Sequence, residues 1–360
     1  MVRQIQSPVE FLGVDTSGVI SFGAGQPDLP PPREVEQALA AADHGYGPVQ
    51  GEQYLRRMLG NLHGYDPENI IITNGASEAL FLAVSVCTQP GDKVLLTRPY
   101  YYSYPHMLRY RGAQSIYTDM LDGEIDLADF REKCREAKAT IINSPANPGG
   151  TVIPPATIDE IERICQEEGT ILIFDEVYER LVYEKEHRTP RTAININSFS
   201  KTFSLCGHRV GYAYSSDADL IRKMADHKTH SSMNTSRLSQ RVAAMALNAA
   251  DDFHDSRLSI WKERRDLLYD GIRSLGLSAW CPEGAFYIFP ELEGAEQAVD
   301  ELFGNHDLIT YKGEWFGMPG RIRMSYATGT EQIREGLERL KGYLYQKQKG
   351  SYSCTLRARA

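Results

Sequence analysis

Lys201 lies in the run Ser198-Phe-Ser-Lys201-Thr-Phe-Ser-Leu-Cys-Gly-His-Arg209, with hydroxyls at its shoulder and an arginine eight residues on. A primary amine placed beside a guanidinium and hydroxyl donors has the parts to form an imine with an aldehyde and to hold that aldehyde's phosphate. Taken alone, the run reads equally well as a surface turn with two ordinary basic residues. Three further stretches shift that balance: Asn143-Ser-Pro-Ala-Asn147-Pro-Gly-Gly, Phe174-Asp175-Glu-Val-Tyr178 and Asn74-Gly75-Ala76-Ser77-Glu-Ala. Asp175 ends an apolar run, where a carboxylate either caps the next helix or serves a ligand. Tyr178 follows three residues later and shares its face if the segment turns helically. The Gly75-Ala76-Ser77 turn leads from a strand pattern into a helix pattern, so its N–H groups point at an anion or are simply capped. The Asn-Pro-Gly-Gly that begins at Asn147 forces a turn in either case.

The elements that must position these residues are short apolar runs alternating with helical periods. Strands are expected at 70–73, 93–97, 139–143, 170–175, 193–197 and 209–214, with helices near 52–62, 77–87 and 157–167. Such a pattern predicts an α/β fold with a mostly parallel sheet covered by helices on both faces. Asn143 and Asn147, Asp175 and Lys201 all fall at or just past the C-terminal end of a predicted strand. That edge of an open parallel sheet is where ligands bind. The rhythm changes after a largely helical stretch at 238–275, and late strands at 286–290 and 321–326 predict a smaller α+β domain.

Together these stretches resemble the fold type I pyridoxal-phosphate enzymes, specifically the class I/II aminotransferases of the aspartate aminotransferase superfamily. The likeness spans residues 20 to 345. It implies pyridoxal 5'-phosphate held as an internal aldimine on Lys201, with Asp175 pairing the ring nitrogen and keeping it protonated as an electron sink. Tyr178 and Asn147 would reach the ring's phenolic oxygen. Gly75, Ala76, Ser77, Ser198 and Arg209 would hold the phosphate, and Tyr101, in Arg-Pro-Tyr-Tyr101-Tyr-Ser-Tyr, would stack on the ring. Tyr46, in Tyr-Gly-Pro-Val-Gln-Gly, matches a tyrosine that in relatives crosses a homodimer interface to the neighbouring phosphate; without the family it is only a turn before a helix. Ala24 and Gly25 match a segment whose backbone lies against the substrate. Arg323 matches the arginine that grips the α-carboxylate; Arg321, two places earlier, points to the same face by strand period, so spacing alone does not separate them. The departures are Asn-Pro-Gly-Gly for the commoner Asn-Pro-Thr-Gly, a short N-terminal segment, and His208 before the arginine. The domains implied are 36–258 for cofactor binding, with 1–35 and 259–346 forming the small domain.

The bulk composition agrees with a soluble enzyme. At 360 residues the chain is long enough for more than one core, and 42% hydrophobic with 24% charged residues is ordinary. A net charge of −9 with no basic stripe argues against nucleic acid or an anionic membrane as partner. Six scattered cysteines without C-x-x-C spacing indicate neither a metal site nor a disulfide framework, so a reducing, cytoplasmic setting is expected. No signal peptide is seen and no apolar run approaches the roughly 20 residues that span a bilayer. The polar, basic stretch 347–360 reads as a disordered tail. Two competing activities stand beside transamination of an L-amino acid with a 2-oxo acid. A β-eliminating carbon–sulfur lyase would use the same motifs. A non-catalytic ligand sensor on this fold would carry a DNA-binding domain, for which the short segment before the first motif leaves no room.

Overall fold

The structure is a computed structural model that describes residue 5 and residues 18–23, 25–35, 45–121 and 124–357. Its frame is an eight-stranded sheet in the order β2 (Ile70–Thr73), β9 (Gly211–Tyr214), β8 (Ile194–Ser198), β7 (Ile171–Asp175), β6 (Ala139–Asn143), β3 (Lys93–Arg98), β4 (Gln114–Leu121) and β5 (Glu124–Ile125). The run from β8 through β7, β6 and β3 to β4 pairs in parallel, whereas β9 opposes both its neighbours and β5 opposes β4. The sheet is thus mostly parallel, as the alternation of strand and helix patterns predicts.

Successive apolar residues of each central strand serve opposite faces, which is why these strands read as unbroken hydrophobic runs. Leu96, Ile141 and Ile173 face α2 (Ala76–Cys87), α3 (Ser103–Arg111) and α7 (Ala218–Thr229). Leu95, Ile142, Leu172 and Phe174 pack instead with Phe130 and Ile161 of α4 (Leu127–Cys134) and α5 (Pro155–Glu168). At the antiparallel edge, Ile70, Ile72, Tyr212 and Tyr214 bury against α1 (Gln53–His63) and α8 (Arg237–Asn248).

A second core is built by both ends of the chain. β1 (Ile20–Ser21) pairs in parallel with β11 (Leu308–Ile309), and β13 (Ile322–Ser325) lies between β10 (Tyr287–Ile288) and β12 (Tyr311–Lys312). Phe22 packs there with Trp261 and Leu268 of α9 (Ala250–Ser274), Phe303 of α10 (Ala295–His306) and Leu340 of α11 (Thr330–Arg357). The expected division at 258/259 falls inside α9, one continuous helix. Helix α11 also continues to Arg357, so 347–357 are helical where a disordered tail was expected. Lys347 explains the start of that extension, since it pairs with Glu301 of α10 at 2.7 Å.

Candidate functional site

Topology gathers the site before any side chain is considered. β6, β7 and β8 run in parallel, so Asn143, Asp175 and Ser198 end on one edge, with Asn143 and Asp175 paired in register. β9 runs the other way and begins at that edge, so Arg209 enters it from just before Gly211. β2 and β3 also end there and lead into Asn74-Gly75 and toward Tyr101. Ligands bind on this edge of open α/β sheets.

Asp175 is buried and its Oδ2 accepts the Tyr104 hydroxyl at 2.6 Å, while Oδ1 accepts the Val177 N–H at 3.4 Å. Burial pushes its carboxyl up to about 6; the Tyr104 and Val177 bonds and the Lys201 charge pull the other way, and Glu176 adds to the rise. Lys201 sits on the short helix α6 (Phe199–Thr202), whose N-terminus is capped by Ser198 through the Ser200 N–H at 3.1 Å. Its ammonium donates to the Gly25 carbonyl at 2.5 Å, which ties the N-terminal segment to this sheet edge. Tyr178 is buried with its hydroxyl 2.9 Å from that of Tyr287, and burial foremost raises its pKa far above the usual phenol value. Tyr101 lies partly buried, edge-on to Tyr102 and Tyr104.

The anion cradle is formed at the start of α2. Gly75 adopts φ 80° and gives the helix no side-chain cap, so the first N–H groups, near the exposed Ser77, have no acceptor within the helix. Arg209 is itself in the left-handed region, with φ 54°, and its guanidinium lies over Gly75. A Cβ on Gly75 would come within 2.5 Å of Arg209 Nη2 and displace that guanidinium, while the left-handed backbone itself favours glycine here. Ser198, expected to add a hydroxyl here, is engaged inside its own loop, donating to the Val210 carbonyl at 3.1 Å.

At the other end, Arg323 is buried, donating to Asn147 Oδ1 at 3.0 Å and to the Gly23 carbonyl at 2.6 Å. The faces of Tyr287, Tyr311 and Phe316 surround its guanidinium at 4.5, 4.8 and 5.0 Å. Its Nε is buried without a partner among the described residues. Arg321, which spacing could not separate from it, goes elsewhere: to the Phe289 carbonyl at 2.8 Å, to Glu291, and over the Trp280 ring. Asn147 is held in turn by Asn143, whose Oδ1 accepts the Asn147 N–H at 2.8 Å and whose Nδ2 donates to the Asp175 carbonyl at 2.8 Å.

One expected residue, Ala24, lies outside the described residues. Tyr46 is described but stands apart, 84% exposed on this single chain. Sequence reasoning missed Tyr104 and Tyr287. The signal for Tyr104 was present, in the same tyrosine-rich run three residues past Tyr101, whose carbonyl accepts the Tyr104 N–H at 3.0 Å as α3 begins; that for Tyr287 was not, because its contact with Tyr178 spans 109 residues. The donor set as a whole fits a phosphorylated ring aldehyde. It offers an amine, a buried carboxylate, an aromatic face and a cationic cradle, all at one edge, with a second cation for a carboxylate opposite.

A fold of this order with an amine, acid and arginine so placed belongs to the aminotransferase class of enzymes. Residues 17–340 match the model of the family "Aminotransferase class I and II". The chain is 34% identical to the aspartate/prephenate aminotransferase of Thermus thermophilus, covering 91% of this chain and 90% of that one. It is also 34% identical to a probable aspartate aminotransferase of Methanocaldococcus jannaschii, covering 92% and 95%. Among solved structures, the Thermus thermophilus aspartate aminotransferase with maleate superposes with a TM-score of 0.89 at 30% identity, over 95% of this chain and 97% of that one. The protein is a member of the class I and II aminotransferases, and the eliminating lyase is not favoured.

Proposed function

We propose that the protein uses pyridoxal 5'-phosphate to move the α-amino group of an L-amino acid to a 2-oxo acid, with Lys201 as the amine that carries the cofactor. The observation that carries this reading is the Lys201 amine lying with Asp175 and the Gly75–Arg209 cradle on one sheet edge, with Arg323 of β13 opposite. When bound, pyridoxal phosphate supplies an aldehyde carbon that links to amino groups and a ring that accepts the electron pair released at the substrate Cα. Arg209, the α2 N-terminus and Ser77 hold the phosphate, and Ser198 acts by capping the helix that carries Lys201. Tyr101 offers its ring as a stacking face. Asp175, desolvated and oriented by Tyr104, holds a proton at the ring nitrogen, because that cation pairs a carboxylate that burial otherwise disfavours. Tyr178 and Asn147 place a hydroxyl and an amide beside the ring's phenolic oxygen. Arg323 takes the substrate α-carboxylate in a fork already shaped by Asn147, Gly23 and three aromatic rings. Once substrate has displaced it, the neutral Lys201 amine would be the base that takes the Cα proton, with the Gly25 carbonyl, its present hydrogen-bond acceptor, placed to orient it.

The relatives from Thermus thermophilus and Methanocaldococcus jannaschii are named aspartate/prephenate aminotransferase and probable aspartate aminotransferase, which makes aspartate the first amino donor to assay. The active unit in this reading is a homodimer in which Tyr46 completes the neighbouring phosphate site; the bare exposure of that ring on a single chain supports it. The free thiols of Cys87, Cys134, Cys165, Cys206 and Cys281 support a reducing, cytoplasmic setting. The test is a panel of L-amino acids incubated singly with the cofactor-loaded protein and no acceptor. The reading expects one equivalent of 2-oxo acid per site and no ammonia. Ammonia with pyruvate from a β-substituted donor would make it a lyase.

A further inference from the structure

The cradle at the start of α2 contains an acidic residue as well as its donors. Glu78 stands in the first turn of that helix, beside the N–H groups proposed to hold a phosphate. An uncompensated carboxylate there would repel the anion. Glu78 is instead part of a partly buried network. Its Oε2 accepts the Asn74 N–H at 2.6 Å and the Lys228 ammonium at 2.6 Å, and its Oε1 accepts the Ser232 hydroxyl. The Asn74 side-chain amide also donates to it at 3.1 Å. The Lys228 side chain is 0% exposed, reaching inward from α7. A lysine buried to that degree is costly to keep unless its charge is matched.

We infer that Glu78 and Lys228 are positioning residues that shape the anion cradle while cancelling each other's charge. Glu78 does what the acid of a capping box does, but reaches back one residue further, to the N–H of Asn74. Gly75 provides no side-chain cap, so this bond fixes the turn from β2 and leaves the Ala76 and Ser77 N–H groups without an acceptor inside the helix. Lys228 removes the charge that this arrangement would otherwise place beside the ligand. Burial pushes the Glu78 carboxyl up, yet the bonds from Lys228, Ser232 and Asn74 hold it below its ordinary value, so the acid is ionised and the pair is neutral as a unit. The inference rests on the reading of this cradle as a phosphate site.

The readout is the ratio of dissociation constants for phosphate-free pyridoxal and pyridoxal 5'-phosphate, measured by absorbance on the cofactor-free protein. That ratio isolates the phosphate. Lys228→Met leaves the acid uncompensated and should lower the ratio at least tenfold. The double variant Glu78→Gln with Lys228→Met carries no charge and keeps an acceptor for the Asn74 N–H, so its ratio should return to within about threefold of the wild type. Glu78→Ala with Lys228→Met loses that acceptor and should fall at least tenfold again. If Lys228→Met does not fold, the two double variants decide the matter between them. A pair that merely packs α2 against α7 would lower the melting temperature of every variant and leave the ratio unchanged, which overturns the inference. A wild-type protein that fails to prefer the phosphorylated form overturns the cofactor reading, and the inference with it. A normal wild-type preference that survives in Lys228→Met and in Glu78→Ala with Lys228→Met overturns the inference alone.

Discussion

Replacing Asp175 by asparagine removes a carboxyl that burial has lifted from 3.8 to about 6, and the direction of that lift sets the sign of the resulting pH dependence. At about 1.4 kcal/mol per pKa unit, the lift corresponds to roughly 3 kcal/mol between the protonated and ionised forms. The folded-state value lies above the unfolded one, so the folded cofactor-free protein binds this proton more tightly. The contribution of Asp175 to stability is therefore fully present below about pH 4 and is lost as the pH rises through about 6. Asparagine has no such proton to lose, and it can still accept the Tyr104 hydroxyl. The stability of Asp175→Asn relative to wild type should therefore climb by roughly 3 kcal/mol between pH 4 and pH 7. Other acids whose carboxyls desolvation lifts, the half-buried Glu179 above all, remain in both proteins and cancel in the difference. Urea unfolding of the two cofactor-free proteins at pH 4, 5, 6 and 7 measures it directly. A difference that stays flat to within about 1 kcal/mol across that range would refute the claim that burial outweighs the Tyr104 and Val177 bonds at Asp175. The same variant should bind cofactor yet turn over orders of magnitude more slowly.

Arg323→Ala removes a fork that supplies charge-assisted bonds of about 1.5–3 kcal/mol, so KM for every amino donor should rise roughly 10- to 150-fold. Arg321→Ala should stay within about threefold of wild type, because that guanidinium is held by Glu291 and Trp280; a larger effect at 321 in steady-state kinetics would exchange the assignments. Tyr104→Phe removes a bond to a buried carboxylate and should lower kcat by about tenfold with KM little changed, as initial-rate assays over a range of donor concentrations would read out. Mixing a Lys201→Ala chain with a Tyr46→Ala chain should restore activity beyond the sum of the two, since one site of the mixed dimer then combines two intact halves. No gain on co-refolding, with mixed dimers present by mass spectrometry, would rule out a shared site.

Much of the site was legible because parallel topology makes strand ends converge. Asn143, Asn147, Asp175 and Lys201 could be placed on one edge from the apolar runs that precede them, and the pairing of Asn143 with Asp175 bears this out for those two. What the sequence did not carry was contact between distant segments. The Tyr178–Tyr287 pair and the seat of Lys201 on the Gly25 carbonyl join residues more than a hundred positions apart, through a domain contact that no local period encodes. Arg321 and Arg323 share a face by strand period, yet Arg321 lies just outside β13 and turns to Glu291. β4 was missed because Gln114–Leu121 mixes polar and apolar residues near the sheet's edge, where full burial no longer marks a strand. Serine is ambiguous for a like reason: Ser198 had the right position for a phosphate ligand, but its hydroxyl caps α6.

The central claim is that Lys201 is the amine that carries the cofactor. Borohydride reduction of the protein with pyridoxal 5'-phosphate, then digestion and mass spectrometry, tests it most directly. The account predicts a single phosphopyridoxyl group on the peptide containing Lys201, with loss of the visible chromophore. A label on another lysine, or no stable label at all, would contradict it.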